Sequence, residues 1–269
     1  MTTPDAVTLP HTAFEPEGAA TAPPLLIAHG LYGRARNFTS VAKRLSVGRR
    51  VVTVDMRNHG EAPHDARMDY PAMAADLADA IQRLCGGRAV LLGHSMGGKA
   101  AMVLALTRPE LLAGLIVGDI APVPYAHPEH AQITAAMRAL PLAGITRRSA
   151  ADPLLAAGIA AAPVRAFILQ NLAIDGGVAR WQPNLAAIWA GLPDILGFPA
   201  LSGAAFPGPT LFLHGGASAY VTPAYHEAIR TRFPAAEIEA IPGAGHWIHA
   251  EAPDAFVAAV SGWLARSDG

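Results

Sequence analysis

The sequence has one cysteine, few aromatic residues, little charge and no long apolar run, and each scarcity removes a class of explanation. A single cysteine, Cys85, cannot form an internal disulfide. It ends a helical stretch before Gly86-Gly87 and reads as a small, buried or half-buried apolar residue. Charged residues fill only 15% of the 269 positions, and the formal net charge is −1. With no lysine or arginine stripe, neither nucleic acid nor an anionic membrane surface is an expected partner. No apolar run has the length needed to span a bilayer. Met1-Thr2-Thr3-Pro4-Asp5 shows neither a basic n-region nor an apolar core, so no leader is read there and a cytoplasmic location is expected. His127-Pro128-Glu129-His130 and His246-Trp247-Ile248-His249 lack the helical H-E-x-x-H order, so no metal and no cofactor is expected.

What the chain does contain is apolar material in alternating patterns. Hydrophobic residues make up 52% of it, enough for a large buried core. Short runs at 25–28, 51–55, 88–92, 114–118, 210–213 and 237–241 read as strands, with a weak edge strand within 6–14. Residues 37–46, 70–85, 96–107, 223–233 and 252–266 read as helices between them. Met73, Leu77, Ile81 and Leu84 fall at core spacing on one helix, as do Phe256, Val260, Trp263 and Leu264 on another. Strands alternating with helices predict an α/β fold with a mostly parallel sheet covered on both faces. The stretch 122–206 breaks the alternation and reads as short helices at 129–140, 149–160, 163–174 and 183–191. Because it falls between two strands, it is expected to be an inserted helical lid on a core formed by 1–121 and 207–269.

The strongest chemical signal is Gly93-His94-Ser95-Met96-Gly97-Gly98, placed between a strand and a helix. A serine on such a sharp turn is forced into strained geometry, and only small neighbours let the two arms pass. Ser95 is therefore the expected nucleophile, facing the free N–H groups that open the helix. A serine needs a base, and His246 in Gly243-Ala244-Gly245-His246-Trp247 follows the last strand on a flexible loop. His94 is locked inside the turn, His249 reads as a surface side chain, and His29 as a hydrogen-bonded structural residue. The base needs a carboxylate to fix its tautomer. The usual loop, His214-Gly215-Gly216-Ala217-Ser218-Ala219-Tyr220-Val221, holds no acid. Asp119, at the end of the strand next to the nucleophile's strand, is the best remaining candidate; its alternative is a cap on the following turn. The backbone N–H groups of Leu31 and Met96 are the expected oxyanion donors. The polar turn Asp55-Met56-Arg57-Asn58-His59-Gly60 is expected to hold neighbouring loops together.

These residues resemble a known family. From His29-Gly30 to His246 the chain is similar to the α/β-hydrolase superfamily, and more narrowly to small bacterial esterases of the YbfF type. The narrower resemblance rests on Val54–Gly60, Asp69-Tyr70-Pro71-Ala72-Met73, Gly93–Ala100, Asp119-Ile120-Ala121-Pro122-Val123 and Gly243–Trp247. It implies an acid at the Asp119 position and cofactor-free, metal-free hydrolysis of small acyl esters or thioesters.

The expected function is thus a serine hydrolase acting on short- to medium-chain carboxylic esters through an acyl-enzyme, as a monomer or homodimer, with a small-molecule substrate. Tyr32, Tyr125, Phe167, Trp181, Trp189, Tyr220, Val221 and Trp247 are the expected pocket, with ordinary packing as the alternative for each aromatic. A thioesterase, a C–C hydrolase or a perhydrolase could use the same triad. Dehalogenase and epoxide hydrolase chemistry would need an aspartate where Ser95 stands. A silent binding scaffold is the non-enzymatic alternative, and it requires Asp119 to lie away from His246.

Overall fold

The computed structural model describes residues 6–268. Met1–Asp5, read above as lacking a leader pattern, lie outside them. Nine strands form: β1 His11–Phe14, β2 Leu25–Ala28, β3 Val51–Val54, β4 Ala89–His94, β5 Leu112–Gly118, β6 Leu172–Asp175, β7 Val178–Trp181, β8 Thr210–Gly215 and β9 Ala236–Ile241. Seven of them make one sheet in the order β1-β3-β2-β4-β5-β8-β9. Only β1 runs antiparallel, pairing His11 with Val54 and Phe14 with Val51. The chain winds outward from β2 to β3, then reverses and builds β4, β5, β8 and β9 on the other side. That reversal opens a crevice at the carboxyl ends of β2 and β4, where open α/β sheets place their ligands.

Both faces of the sheet are buried, and side chains alternate between them strictly. Leu26 and Ala28 of β2, Leu91 of β4, and Leu115 and Val117 of β5 enter one core. Leu25, Ile27, Val90, Leu92 and Ile116 enter the other. This period of two on a fully apolar strand is what a helix-covered parallel sheet requires. Helices α1 Thr39–Leu45 and α10 Pro253–Ser267 cover the second face, and α2 Tyr70–Leu84 and α3 Met96–Thr107 the first. Asp69 caps α2 by accepting from Ala72 N at 2.8 Å. From Met96 to Leu106 every residue of α3 is buried, so it packs on all sides, as a helix apolar all round must.

Several element boundaries differ from those read in the sequence. The stretch 37–46 divides into a 3-10 turn, Ala35–Phe38, followed by α1. Between β5 and β8 lie α4 Pro128–Ala139, α5 Arg148–Leu155, α6 Ala162–Leu169 and α7 Leu185–Leu196. The helix expected over 163–174 stops at Leu169, and the hairpin β6–β7 follows. Its cause is Gly176-Gly177, both at positive φ (54° and 81°), the conformation a two-residue hairpin loop demands. Helix α8 covers His226–Arg232 after a 3-10 turn at Pro223–Tyr225. The final helical stretch is preceded by a short α9, Ile248–Glu251.

The polar turn after β3 ties loops together as expected. Asp55 accepts from Ala35 N at 2.7 Å and Glu61 N at 2.9 Å. Asn58 accepts from Asp65 N at 2.8 Å and from Asn184 Nδ2 at 3.1 Å, joining the core to the inserted segment. Arg57 is fully buried and pairs with Asp76 at 2.6 Å. Cys85 is buried, in agreement with its apolar surroundings in the sequence. Among the described residues no helix is long and apolar enough to cross a membrane.

Candidate active site

Ser95 sits between β4 and α3 at φ 52° and ψ −117°, a conformation that L-residues rarely adopt. Its neighbours explain how the chain tolerates it. A Cβ on Gly97 would come within 2.5 Å of the His29 carbonyl oxygen, and one on Gly93 would overlap the Gly97 carbonyl. Only glycine lets the strand and helix approach this closely. Ser95 N donates to Gly118 O at 2.9 Å, which fastens the turn to the end of β5.

The residue that follows β5, Asp119, is fully buried and also lies at positive φ (49°). Its Oδ1 accepts from Gly215 N at 3.0 Å; its Oδ2 accepts from Ser218 Oγ at 2.5 Å and faces His246 Nδ1 at 2.7 Å. Acceptance by an ionised carboxylate places the imidazole proton on Nδ1. His246 Nε2 is then an acceptor, 3.1 Å from Ser95 Oγ. The Asp119 carboxylate thus reaches His246 and does not lie away from it, the separation that a silent scaffold would require.

The imidazole is held from both sides. The Tyr220 ring stacks on it with centroids 4.1 Å apart, and His94 lies 4.9 Å away. His94 Nε2 donates to the His246 carbonyl at 2.8 Å. Burial pushes the His94 pKa down to about 3, so it serves as a neutral strut. His29 is structural too: its Nδ1 donates to Gly30 O at 2.8 Å and its Nε2 accepts from Met56 N at 3.0 Å.

Leu31 lies in a tight turn closed by Gly33 N donating to Gly30 O at 2.9 Å. Tyr32 completes that turn at φ 58° and is pinned through Thr134 Oγ1 at 2.5 Å and Asn171 Nδ2 at 2.7 Å. Met96 opens α3, where the leading N–H groups have no intrahelical acceptor. Leu31, in the loop after β2, and Met96, at the start of α3, line one cavity together with Ser95.

Two cavities reach Ser95. The larger, about 570 Å³, is mainly apolar and includes Tyr32, Ile133, Val164, Phe167, His246 and Trp247 in its walls. The smaller, about 320 Å³, includes Met96, Lys99, Tyr125, His130, Leu196 and Tyr220. Of the expected pocket residues, Tyr32, Phe167 and Trp247 line the first, and Tyr125 and Tyr220 the second. The other three line neither. Trp181 donates its indole N–H to Met137 O at 2.8 Å inside the inserted segment. Trp189 is 41% exposed and lies over the Arg138 guanidinium, and Val221 is packed into the core.

Sequence reasoning also missed contributors. His249 is no surface residue: it is buried, stacks on Phe38 at 4.1 Å and lines the larger cavity. Ser218 was visible only as a hydroxyl in the acid-free loop. Lys99 carried no signal beyond its place one turn after Ser95.

Comparison with known proteins agrees with this architecture. A model of the alpha/beta hydrolase family matches residues 25–259. The sn-1-specific diacylglycerol lipase ABHD11 of Mus musculus is 43% identical over 256 residues, covering 93% of this chain and 83% of that protein. Esterase YbfF of Escherichia coli K12 is 37% identical over 241 residues, covering 90% and 92% respectively. A solved structure of a marine microorganism esterase matches with a TM-score of 0.88 at 34% identity, over 96% of this chain and 100% of that one. On the strength of that family match and these relatives, the chain belongs to the alpha/beta hydrolase family.

Proposed function

We propose that this protein hydrolyses carboxylic esters of short to medium acyl chains through a serine acyl-enzyme. The observation that carries the reading is the unbroken line from Ser95 Oγ through His246 to Asp119, at 3.1 and 2.7 Å, on the edge of two cavities. Ser95 attacks the carbonyl carbon while His246 takes its proton. Asp119 holds the imidazole in the Nδ1–H tautomer and stabilises its cationic form. The N–H groups of Leu31 and Met96 receive the oxyanion. His246 then passes the proton to the departing alcohol, and water repeats the sequence to release the acid.

The two cavities take the two arms of the ester. The leaving oxygen must meet His246 Nε2, and His246 and Trp247 belong to the larger cavity, which takes the alcohol. The smaller cavity, bounded by Met96 and by the Tyr220 ring that covers the imidazole, takes the acyl group. Being the smaller of the two, it favours short acyl chains. The segment 122–206 acts as a lid, since α4 and α6 supply Ile133, Val164 and Phe167 to the cavity walls.

A second reading has one observation behind it. The larger cavity continues into a groove between α6 and Trp247, lined by Pro163, Ala166 and Phe167. A long lipid acyl chain seated there would fit the substrate named for the mouse relative. Initial rates on p-nitrophenyl esters from acetyl to dodecanoyl separate the two, with Ser95→Ala as the control. A peak at short chains that collapses in the variant supports the first reading, and a peak at dodecanoyl the second. Equal rates in both proteins would overturn the serine assignment.

A further inference from the structure

Lys99 is a buried cation that the hydrolytic steps leave unused. It lies in the first turn of α3, its backbone N–H donating to Ser95 O at 3.0 Å, and it is 1% exposed. Its ammonium donates to the carbonyls of Leu196 and Gly197 at 3.0 and 2.6 Å, at the C-terminal end of α7. It also lies over the rings of Tyr125 and Tyr70, 4.8 and 5.7 Å from their centroids. No carboxylate among the described residues pairs with it. Burial alone brings its pKa down to about 7.

Capping α7 accounts for two of the three ammonium protons. It leaves the third N–H unaccounted for, on the wall of a cavity that also contains Ser95. A neutral donor could satisfy two carbonyls at far lower desolvation cost. No carboxylate lines this cavity; on its rim Glu129 Oε2 faces His127 Nδ1 at 3.6 Å. Tyr125 and Tyr70 donate their hydroxyls to the carbonyls of Tyr220 and Ile195. His130 is held neutral by burial, with a pKa near 4, and its Nδ1 has no hydrogen-bond partner. His127 and Tyr220 complete the wall. A cationic donor, an unpartnered imidazole nitrogen and a cavity that also reaches the nucleophile together describe a receptor for an anion.

We propose that the acyl arm of the preferred substrate ends in a carboxylate and that Lys99 binds it, so that the substrates are hemiesters of short dicarboxylic acids. This rests on the ester-hydrolase reading above and on the acyl group occupying the smaller cavity. Lys99 N donates to Ser95 O at 3.0 Å and both side chains line the smaller cavity, which suits a short chain between the two carboxyl groups. In the reaction the ester C–O bond breaks, the alcohol leaves with the proton from His246, and water supplies the second carboxyl oxygen. The products are an alcohol and a dicarboxylate.

The test compares kcat/KM for monoethyl succinate and monoethyl glutarate with that for ethyl succinamate and ethyl glutaramate, neutral esters of nearly the same shape. Rates are followed by ethanol release just below neutral pH in the wild-type protein, in Lys99→Met and in Lys99→Gln. The acid-to-amide ratio is read within each protein, so a loss of folded material does not move it. The wild type is expected to favour the acids by about ten-fold or more, the range of one charge-assisted hydrogen bond. Both variants are expected to lose that preference. Equal rates on acid and amide in the wild type would overturn the proposal while leaving the esterase reading in place. A wild-type preference that survives in both variants would overturn the assignment to Lys99. Absence of turnover on these esters and on the p-nitrophenyl series would overturn the proposal together with the reading beneath it.

Discussion

Ser218 Oγ donates to Asp119 Oδ2 at 2.5 Å, on the same carboxylate oxygen that faces the His246 imidazole. The hydroxyl thus stands in the loop where sequence reasoning sought an acid, and it supports an acid delivered from another strand. Removing it leaves a fully buried carboxylate with one donor fewer and also frees Tyr220 N, which donates to Ser218 Oγ at 3.2 Å. Ser218→Ala is expected to lower kcat on p-nitrophenyl butyrate by roughly ten-fold, the scale of a hydrogen bond to a charged group. An unchanged kcat would show that Gly215 N alone positions Asp119.

Asp119→Asn should be far more damaging. The amide can donate to Nδ1 and stabilise the wrong tautomer, leaving Nε2 protonated against Ser95. A loss of roughly 10³–10⁴ in kcat with KM little changed is the expected result of steady-state kinetics. A loss below ten-fold would mean that the carboxylate does not set the tautomer.

Gly97→Ala tests the close approach at the nucleophile turn. The added methyl would meet backbone oxygens of His29 and Ala28 at 2.5 and 2.6 Å, and backbone cannot rotate aside. A destabilisation of about 2–3 kcal/mol is expected, lowering Tm by roughly 5–10 °C in a chain of this size. Differential scanning calorimetry measures it directly, and an unaltered Tm would show that the turn can open.

Histidines held neutral by desolvation set the acid limit of stability. Burial lowers the pKa of His59 and His94 to about 3, of His130 to about 4, and of His249 well below the ordinary value of 6.5. Below 6.5 the unfolded chain takes up protons at these positions while the folded chain does not. Stability therefore falls as the pH drops from 6.5 toward 4, by about 1.4 kcal/mol per pH unit for each fully buried histidine. Urea midpoints at pH 7, 6 and 5 should decline progressively with a constant m-value. A flat midpoint over that range would contradict the neutral, buried state of these rings.

Trp189→Ala should leave ester kinetics unchanged, because the indole covers Arg138 on the outside of the inserted segment and lines neither cavity. A changed chain-length profile would place it in the substrate path after all.

The parts of the molecule legible in the sequence are those written by local rules. Apolar runs such as Leu25–Ala28 can only be buried strands, and Gly93–Gly98 between strand and helix has one stereochemical solution. Asp119 was reachable because sheet connectivity brings the end of β5 beside β4 and β8, and no better acid was available. The hairpin β6–β7 had a local signal in Gly176-Gly177, which the surrounding helical pattern outweighed. The remaining differences come from packing between distant segments. Nothing near Trp181 announces the Met137 carbonyl it meets, and His249 is buried only because Phe38 and His94 close over it. Lys99 likewise acquires its partners from α7, almost a hundred residues away in sequence.

Tyr32, Ser95 and Asp119, at the ends of three neighbouring strands, all hold left-handed backbone angles, with φ of 58°, 52° and 49°. Each such conformation costs of order 1–3 kcal/mol in a residue that bears a side chain, and the sheet beneath holds all three in place. On the proposed mechanism, turnover needs the Ser95 and Asp119 side chains where glycine or asparagine would sit with less strain. Laboratory evolution for heat tolerance alone would thus erode this rim first, trading the nucleophile and its acid for residues at ease in that geometry. Any directed-evolution campaign on this scaffold should screen for ester turnover in every round, because heat resistance and activity compete at the same three positions.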